Sequence, residues 1–270
     1  MMRIRQLDGM RALAILFVFA HHAFKIKLLW MGVDLFFILS GFLITGVLLN
    51  AKQNPLGSYF VGFYARRCRR IVAPYMLALL IMSVFFGLAW SRYWYLYMGL
   101  TNLLLPLHIP HPEALDPLWS LAVEEQFYLI WPFAVYFLGE RALGKLAAGL
   151  VLIAPALRGV AHFSTPWWVY TLTPFRMDLL ALGALLCLVY RNRRSSVERW
   201  GPRAGILTAA IGLMGLVMLS HFGIGTYENS RIGNVCIYEC TLLVCSGLTL
   251  CALSGYKVGF LRWRPLTYIG

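Results

Sequence analysis

The chain has 270 residues, of which 60% are hydrophobic and only 13% are charged, and its formal net charge is +13. An average soluble domain carries about 25% charged residues, and a chain of this length could not bury so much apolar surface in a water-soluble core. The composition excludes an ordinary soluble domain and predicts an all-α, polytopic transmembrane bundle in a lipid bilayer. The basic residues form short runs between apolar stretches, which argues against a nucleic-acid-binding face.

Eight apolar stretches approach the length of about 20 residues that a spanning helix needs. The predicted spans are approximately 9–28, 32–50, 71–90, 118–138, 146–161, 174–190, 204–222 and 234–254. Segment 93–109 is also apolar, but its aromatic residues are typical of a membrane interface. We therefore predict that 91–117 is an outer loop with an interfacial or re-entrant helix, and that residues 1–270 form a single domain.

The basic runs orient these spans, because cytoplasmic loops carry an excess of Lys and Arg. With Arg3 and Arg5 in the cytoplasm, a chain of eight spans places all the remaining basic runs on the cytoplasmic side as well. These runs are the loop 51–70, Arg141 with Lys145, the loop 191–203 and residues 257–264. The sequence predicts a multi-pass protein of a bacterial cytoplasmic (inner) membrane, with its N-terminus in the cytoplasm.

Several ionisable residues lie inside the predicted spans, where each costs about 2.5–3.5 kcal/mol and usually faces the bundle interior. They are His21 and His22 in the first span, Asp34 in the second, Glu124 and Glu125 in the fourth, and Arg176 and Asp178 in the sixth. The directions of the spans place all of them in the outer half. This predicts a polar pocket between helices, in which a histidine can take a proton from a hydroxyl group.

Each of these residues also has a structural interpretation. His21, and on spacing alone His22, fits a packing role, while Arg176 and Asp178 could pair with each other or with a glutamate. Neighbouring residues on a helix do not share a face, so one of Glu124 and Glu125 must point away from the other. Periodicity alone thus predicts a polar site without choosing a reaction.

Four arginines surround Cys68 in the stretch RRCRR, namely Arg66, Arg67, Arg69 and Arg70. They could be a topology signal that touches anionic headgroups, or a phosphate-binding cluster, because guanidinium groups match phosphate oxygens bidentately. Spacing alone leaves both interpretations open. Cys236 and Cys240 are one helical turn apart, but no histidine lies beside them, so packing is favoured over a metal site.

Five stretches resemble, in order, the successive blocks of the acyltransferase 3 family. They are LDGMRALAILFVFAHH, GVDLFFILSGFLIT, RRCRRIVAPY, LWSLAVEEQFYLIWP and FRMDLLALGALL, and they cover most of residues 7–190. The resemblance implies an integral membrane enzyme of about ten spans. Such enzymes transfer acetyl or other short acyl groups from acyl-coenzyme A, a donor substrate and not a permanently bound cofactor, to extracytoplasmic glycans or small hydroxylated molecules.

The resemblance also implies roles for individual residues. The family histidine follows the Asp of the LDG block by fourteen positions, so Asp8 points to His22 as the catalytic residue. The arginine pair that the family associates with coenzyme A phosphates corresponds to Arg67 and Arg70, with Arg66 and Arg69 as near neighbours. The glutamate block corresponds to Glu124 and Glu125, which we expect to be catalytic together with His22. The late arginine corresponds to Arg176, and we expect Asp34 and Asp178 to join it in the pocket.

Family members normally continue beyond the stretch PLTYIG into two further spans, whereas this sequence stops at Gly270. We therefore expect a chain that lacks the C-terminal end of the family. An inactive or scaffold remnant is one alternative function, and a transporter is another, although transporters more typically show repeated halves. The sequence does not choose the acceptor, the acyl group, or between direct transfer and an acyl-enzyme intermediate.

Overall fold

A computed structural model describes residues 4–86, 93–161, 165–224 and 230–270, and within these ranges the chain is helical with no strand. The helices are α1 (Arg5–Phe24), α2 (Gly32–Ala51), α3 (Leu56–Arg67), α4 (Ala73–Phe86), α5 (Leu118–Phe137), α6 (Glu140–Val160), α7 (Trp167–Thr171), α8 (Met177–Asn192), α9 (Arg194–His221), α10 (Arg231–Ser254) and α11 (Arg264–Ile269). Short 3₁₀ helices connect several of them, and a π-helical turn, Cys68–Val72, joins α3 to α4. The prediction of an all-α bundle is confirmed.

Seven helices of the described part of the chain are long and apolar enough to cross a membrane. They are Arg5–Phe24, Leu28–Ala51, Leu56–Phe85, Glu140–Val160, Trp167–Asn192, Arg194–His221 and Arg231–Ser254. The remaining predicted span is present as α5, a helix of 20 residues, but its polar run 124–126 lowers its mean hydropathy. The end of the predicted third span, 87–90, lies outside the described residues, as does Arg3.

The outer surface of the bundle suits lipid. On α9, the side chains of Leu207, Met214 and Val217 are 62%, 68% and 70% exposed. Such contiguous apolar surface would be unfavourable against water, while the backbone polar groups of a helix are satisfied internally, as a bilayer requires. The protein is therefore a multi-pass membrane protein.

Helices α2 and α8 cross at backbone contact in the centre of the bundle. A side chain at Gly41 would overlap the carbonyl group of Leu180, and one at Gly183 would overlap the carbonyl group of Ile38. Glycine is required at both positions because only its missing side chain lets the two backbones approach so closely. This crossing fixes the start of α8, and with it Arg176 and Asp178, against α2.

The helix ends near Lys52, Glu140 and Arg191 meet at one end of the bundle, which we call the basic end. Lys52 Nζ donates to the carbonyl oxygen of Leu138 at 2.5 Å, and Arg191 Nη1 donates to Asn50 Oδ1 at 3.1 Å. Arg191 also lies 3.3 Å from a carboxylate oxygen of Glu140. The ends of α2 and α8 and the start of α6 are thereby tied together.

The prediction of a loop over 51–70 is wrong. Only residues 52–55 separate α2 from α3, and residues 56–86 form one continuous helical segment through the π-helical turn. Tyr59 and Phe63 are buried on α3, and the Tyr59 hydroxyl donates to the carbonyl oxygen of Pro132 on α5 at 3.0 Å. This packing extends the helix through the arginines, so Arg66 lies about 15 Å along it from Leu56, at 1.5 Å per residue.

Segment 93–117 contains no spanning helix and consists of short 3₁₀ turns, Trp94–Met98, Thr101–Leu103 and Glu113–Leu115. The Tyr75 hydroxyl of α4 donates to the carbonyl oxygen of Leu96 at 2.7 Å. The described part of the predicted outer loop is therefore a folded connection that packs on α4 and α5, and not a ninth span. Residues 91 and 92 lie outside the described residues.

Candidate active site

A cavity of about 320 Å³ lies at the end of the bundle opposite the basic end, and His22 lines it. We call it the histidine cavity. Its lining comprises Ala14, Ile15, Val18, His21 and His22 of α1, Trp30, Val33 and Phe36 at the start of α2, and Leu105, Asp116, Pro117, Trp119, Ser120, Trp167 and Tyr170. His22 is exposed, so its imidazole is accessible to a molecule in this cavity.

The hydrogen bond of His22 favours one tautomer. Its Nδ1 lies 2.9 Å from the carbonyl oxygen of Val18, which can only accept, so Nδ1 carries the proton in this bond. In the neutral ring Nε2 then keeps a lone pair, as a general base requires. His21 makes a similar bond to the carbonyl oxygen of Ile26 at 3.0 Å, and the two imidazole rings meet edge to face at 5.1 Å between their centroids.

One side of the histidine cavity is an aromatic wall made of Trp30, Trp119 and Tyr170. The Tyr170 ring lies 5.9 Å from the Trp30 ring and 4.8 Å from the Trp119 ring. The Arg176 guanidinium group lies 5.8, 5.8 and 5.7 Å from the centroids of Trp30, Trp119 and Tyr170, respectively. Since this cation interacts with all three rings, it holds the wall together.

Asp34 and Arg176 form an ion pair with both side chains fully buried. Thr241 Oγ1 on α10 also donates to Asp34 Oδ2 at 2.7 Å, and the Arg176 guanidinium lies 4.7 Å from the Tyr238 ring centroid. The structure therefore brings Asp34 and Arg176 together, but the aromatic wall separates them from His22. The expectation of a single polar pocket that contains all these residues is wrong at this point.

Asp178 belongs to a second buried network. Arg158 Nη2 donates to Asp178 Oδ2 at 2.7 Å and to Glu239 Oε1 at 2.5 Å, and Arg158 Nη1 donates to the carbonyl oxygen of Phe175 at 2.5 Å. Arg158 and Glu239 are not among the sequence-predicted site residues. Both are ionisable residues within otherwise apolar spans, so the criterion that identified Asp34 would also have identified them.

Glu124 lies with the arginines instead of the histidine. It is buried and accepts a hydrogen bond from Ser40 on α2. Arg11 and Arg67 both interact electrostatically with Glu124, and each also interacts with Arg70. We call Arg11, Arg67, Arg70 and Glu124 the arginine cluster.

Aromatic rings hold the guanidinium groups of this cluster in place. Arg67 lies over the ring of Tyr128 at 4.8 Å from its centroid, and Arg11 lies over the ring of Phe36 at 5.5 Å. Arg66 and Arg69 are exposed, and Arg69 Nε bonds to the carbonyl oxygen of Ala65 in its own helix at 3.3 Å. Of the four sequence-predicted arginines, Arg67 is thus the one most fixed by its surroundings.

Glu125 faces a different cavity, of about 340 Å³, between α5, the π-helical turn and the turn at Gly99. Arg67, Gln126 and Tyr128 also line it. Glu125 Oε1 is buried without a hydrogen-bond partner in the described part of the chain. The two adjacent glutamates therefore point in different directions, and Arg67 is near both.

One face of α1 connects the arginine cluster to the histidine cavity. Arg11, Ala14, Val18 and His22 lie on successive turns, and all but Arg11 line the cavity. At 1.5 Å per residue, Arg11 and His22 are about 16 Å apart along the helix. A cationic site and an accessible imidazole thus lie at two levels of one helix face.

The residues that the structure describes contain no group of three or more His, Cys, Asp and Glu side chains that could hold a metal ion. All six cysteines are free thiols, and Cys245 and Cys187 are buried. Cys236 and Cys240 are partly buried on α10, where they pack.

Comparison with known proteins gives a consistent result over nearly the whole chain. The profile of the Acyltransferase domain family matches residues 4–270. The putative peptidoglycan O-acetyltransferase YrhL of Bacillus subtilis is 29% identical, over 98% of this chain and 46% of its own length. The peptidoglycan O-acetyltransferase OatA of Listeria monocytogenes is 29% identical, over 99% of this chain and 47% of its own length.

The O-acetyltransferase OatA of Staphylococcus aureus is also 29% identical, over 68% of this chain and 34% of its own length. The chain thus spans about half the length, or less, of these relatives. No solved structure matches it. With a family profile that covers residues 4–270, the chain belongs to the Acyltransferase domain family.

Proposed function

We propose that this chain transfers an acyl group, acetyl by default, from cytoplasmic acyl-coenzyme A to a hydroxyl group of an extracytoplasmic glycan. The observation that carries the proposal is the face of α1 that joins the arginine cluster to His22. Family membership supports acyl transfer, and two of the relatives are named as peptidoglycan O-acetyltransferases. The proposed orientation places the basic end and the N-terminus in the cytoplasm of a bacterium, in accord with the positive-inside rule.

The arginine cluster is the proposed site for the phosphate groups of the donor. Arg67 and Arg70 offer charged, forked donors for phosphate oxygens, with Arg66 and Arg69 nearby, and Glu124 positions Arg67. Arg67 lies well along its helix from the basic end, so in this proposal the donor reaches into the bundle from that end. The extended pantetheine arm then follows α1 toward His22, a distance of about 16 Å along the helix axis.

The chemistry follows from the free lone pair of His22. Nε2 removes the proton of the acceptor hydroxyl as its oxygen attacks the thioester carbonyl carbon. A C–O bond forms, the C–S bond breaks, and the coenzyme A thiolate leaves and takes up the proton from His22, which becomes neutral again. Glu125 faces the other cavity beside Arg67, away from the route along α1, so it takes no direct part in this step. Asp34, Arg176 and Asp178 hold the helices that carry the aromatic wall.

Membranes that contain the full chain, supplied with isotope-labelled acetyl-coenzyme A, test this function by mass spectrometry of the cell-envelope glycans. His22→Ala should reduce transfer by about 10²–10⁴-fold, the usual contribution of a general base. His221→Ala is the control, because this exposed histidine at the end of α9 does not line the histidine cavity, and it should retain most of the activity. Retained transfer in His22→Ala, with the protein present in the membrane, would rule out the proposed role.

A further inference from the structure

We propose that the histidine cavity is the acceptor site and that it binds a pyranose ring, which stacks on Trp167 and Tyr170 while Asp116 accepts hydrogen bonds from its hydroxyl groups. This inference rests on the proposed function and names the substrate class of the same site. It concerns residues that lie outside the sequence blocks of the family resemblance, namely Asp116, Trp167 and Tyr170.

Aromatic side chains form much of the cavity lining. Three indoles and a phenol line a space of about 320 Å³, namely Trp30, Trp119, Trp167 and Tyr170. The Trp167 and Tyr170 rings are 5.8 Å apart at an interplanar angle of 77°, so they form a corner. Aromatic faces carry partial negative charge, and the C–H bonds on one face of a pyranose carry partial positive charge, so the two surfaces are complementary.

Polar groups lie at the rim of this aromatic surface. Asp116 is 41% exposed, and His111 Nε2 holds its Oδ1 at 2.7 Å. A carboxylate has about four acceptor positions, so capacity remains for sugar hydroxyls. The Ser120 hydroxyl also lines the cavity and donates to the carbonyl oxygen of Pro117 at 3.0 Å, which leaves its oxygen able to accept. An apolar floor with a few placed polar groups is the usual form of a small-molecule site.

The site is held in shape before a ligand arrives. The Arg176 guanidinium group fixes the rings of Trp30, Trp119 and Tyr170 from behind, and its own ion pair with Asp34 is fully buried. A preformed wall lowers the ordering cost of binding. His22 lines the same cavity, so a ring bound there presents its hydroxyl groups to the proposed base.

The alternative occupant with an aromatic-binding ring is the adenine of the donor. The phosphate groups of the donor are assigned to the arginine cluster, about 16 Å along α1 from His22. The adenine is on the far side of those phosphates from the acyl group, so it lies still farther from His22. The acyl end of the donor has no ring face to stack. A pyranose with hydroxyl groups therefore fits the aromatic and acidic lining better than either part of the donor.

Binding of the disaccharide N-acetylglucosaminyl-N-acetylmuramic acid to the full chain in lipid nanodiscs tests this inference by calorimetry. Trp167→Ala should weaken binding about tenfold, equivalent to about 1.4 kcal/mol, whereas Trp167→Phe should keep most of it because a ring face remains. Asp116→Asn should also weaken binding, since a neutral amide is a poorer acceptor for hydroxyl groups. Trp168→Ala is the matched control, because Trp168 follows Trp167 but does not line the cavity.

Equal affinities of Trp167→Ala and Trp168→Ala, or no binding of the disaccharide by the unaltered chain, would overturn the inference. Glycerol, which has hydroxyl groups but no ring face, should not bind, and equal binding of glycerol would also overturn it. The transfer assay on His22→Ala, read beside the disaccharide titration of Trp167→Ala, separates the two proposals. If His22→Ala still transfers the acyl group, the proposed function fails. If His22→Ala loses transfer but Trp167→Ala binds the disaccharide as tightly as the unaltered chain, only the proposed acceptor site is refuted.

Discussion

Removal of the negative charge of Asp34 should destabilise the protein strongly while hardly changing its shape. In Asp34→Asn the amide still accepts from Thr241, but the Arg176 guanidinium group stays buried without the counter-ion that it contacts directly. Two of its nitrogens, Nε and Nη1, already have no hydrogen-bond partner in the described part of the chain. Loss of one member of a buried ion pair costs about 3–5 kcal/mol, and we expect a loss of that size in the free energy of unfolding.

A double-mutant cycle provides the sharper measurement. Asp34→Leu combined with Arg176→Met removes both charges and should recover most of the loss, because an apolar replacement of a buried pair is often neutral or stabilising. The assay is unfolding in mixed micelles of increasing SDS content, followed by tryptophan fluorescence. Glu198→Gln, which breaks an exposed pair with Arg194 on α9, is the control and should cause no measurable change.

The reasoning about Asp34 would be refuted if Asp34→Asn unfolded at the same SDS content as the unaltered protein. It would also be refuted if the losses from Asp34→Leu and Arg176→Met simply added in the double variant. Additive losses would mean that the two side chains act independently, in spite of their contact.

Other variants test the helix crossing and the donor site. Gly183→Ala should destabilise the fold by about 1–3 kcal/mol through overpacking against Ile38. The added methyl group of Gly149→Ala meets nothing within 4 Å, so this variant should be more stable by about 0.5–1 kcal/mol because alanine is the better helix former. Thermal unfolding of both variants checks this, and equal changes in stability would contradict it. Arg67→Ala should raise the KM for acetyl-coenzyme A about 10–100-fold, the equivalent of a charged hydrogen bond worth about 1.5–3 kcal/mol. Arg69→Ala, an exposed neighbour on the same helix, should raise it less, and a larger effect at Arg69 would contradict the placement of the phosphates.

The spans were predictable because the length and the composition of a membrane-crossing helix are local properties. The aromatic residues of segment 93–117, which are also a local feature, distinguished this segment from the spans. The position of the arginines was not predictable in this way. A run of basic residues usually marks a loop, but here Tyr59 and Phe63 pack on α5 and extend a helix through the run.

The pairing of charges depends on contacts that the sequence does not reveal. Asp34 and Thr241 are 207 residues apart in the chain, and their contact exists because α2 packs against α10. Packing also explains why Glu124 and His22 lie in different sites. Both residues lie in the outer half of the predicted spans, but Ser40 holds Glu124 on the side of α5 that faces the arginine cluster.

The π-helical turn Cys68–Val72 sets the rotation of everything that follows it. It places one more residue in a turn than a regular α-helix has, and each residue turns the helix by about 100°. If the same residues adopted a regular α-helix, the extra residue would swing α4 by about that angle about its own axis. Leu79 and Tyr75 would then leave their contacts with the segment at Leu96, although no side chain of α4 had been changed. A deletion of a single residue between Arg67 and Ala73 would instead let a regular α-helix run through with α4 close to its present rotation.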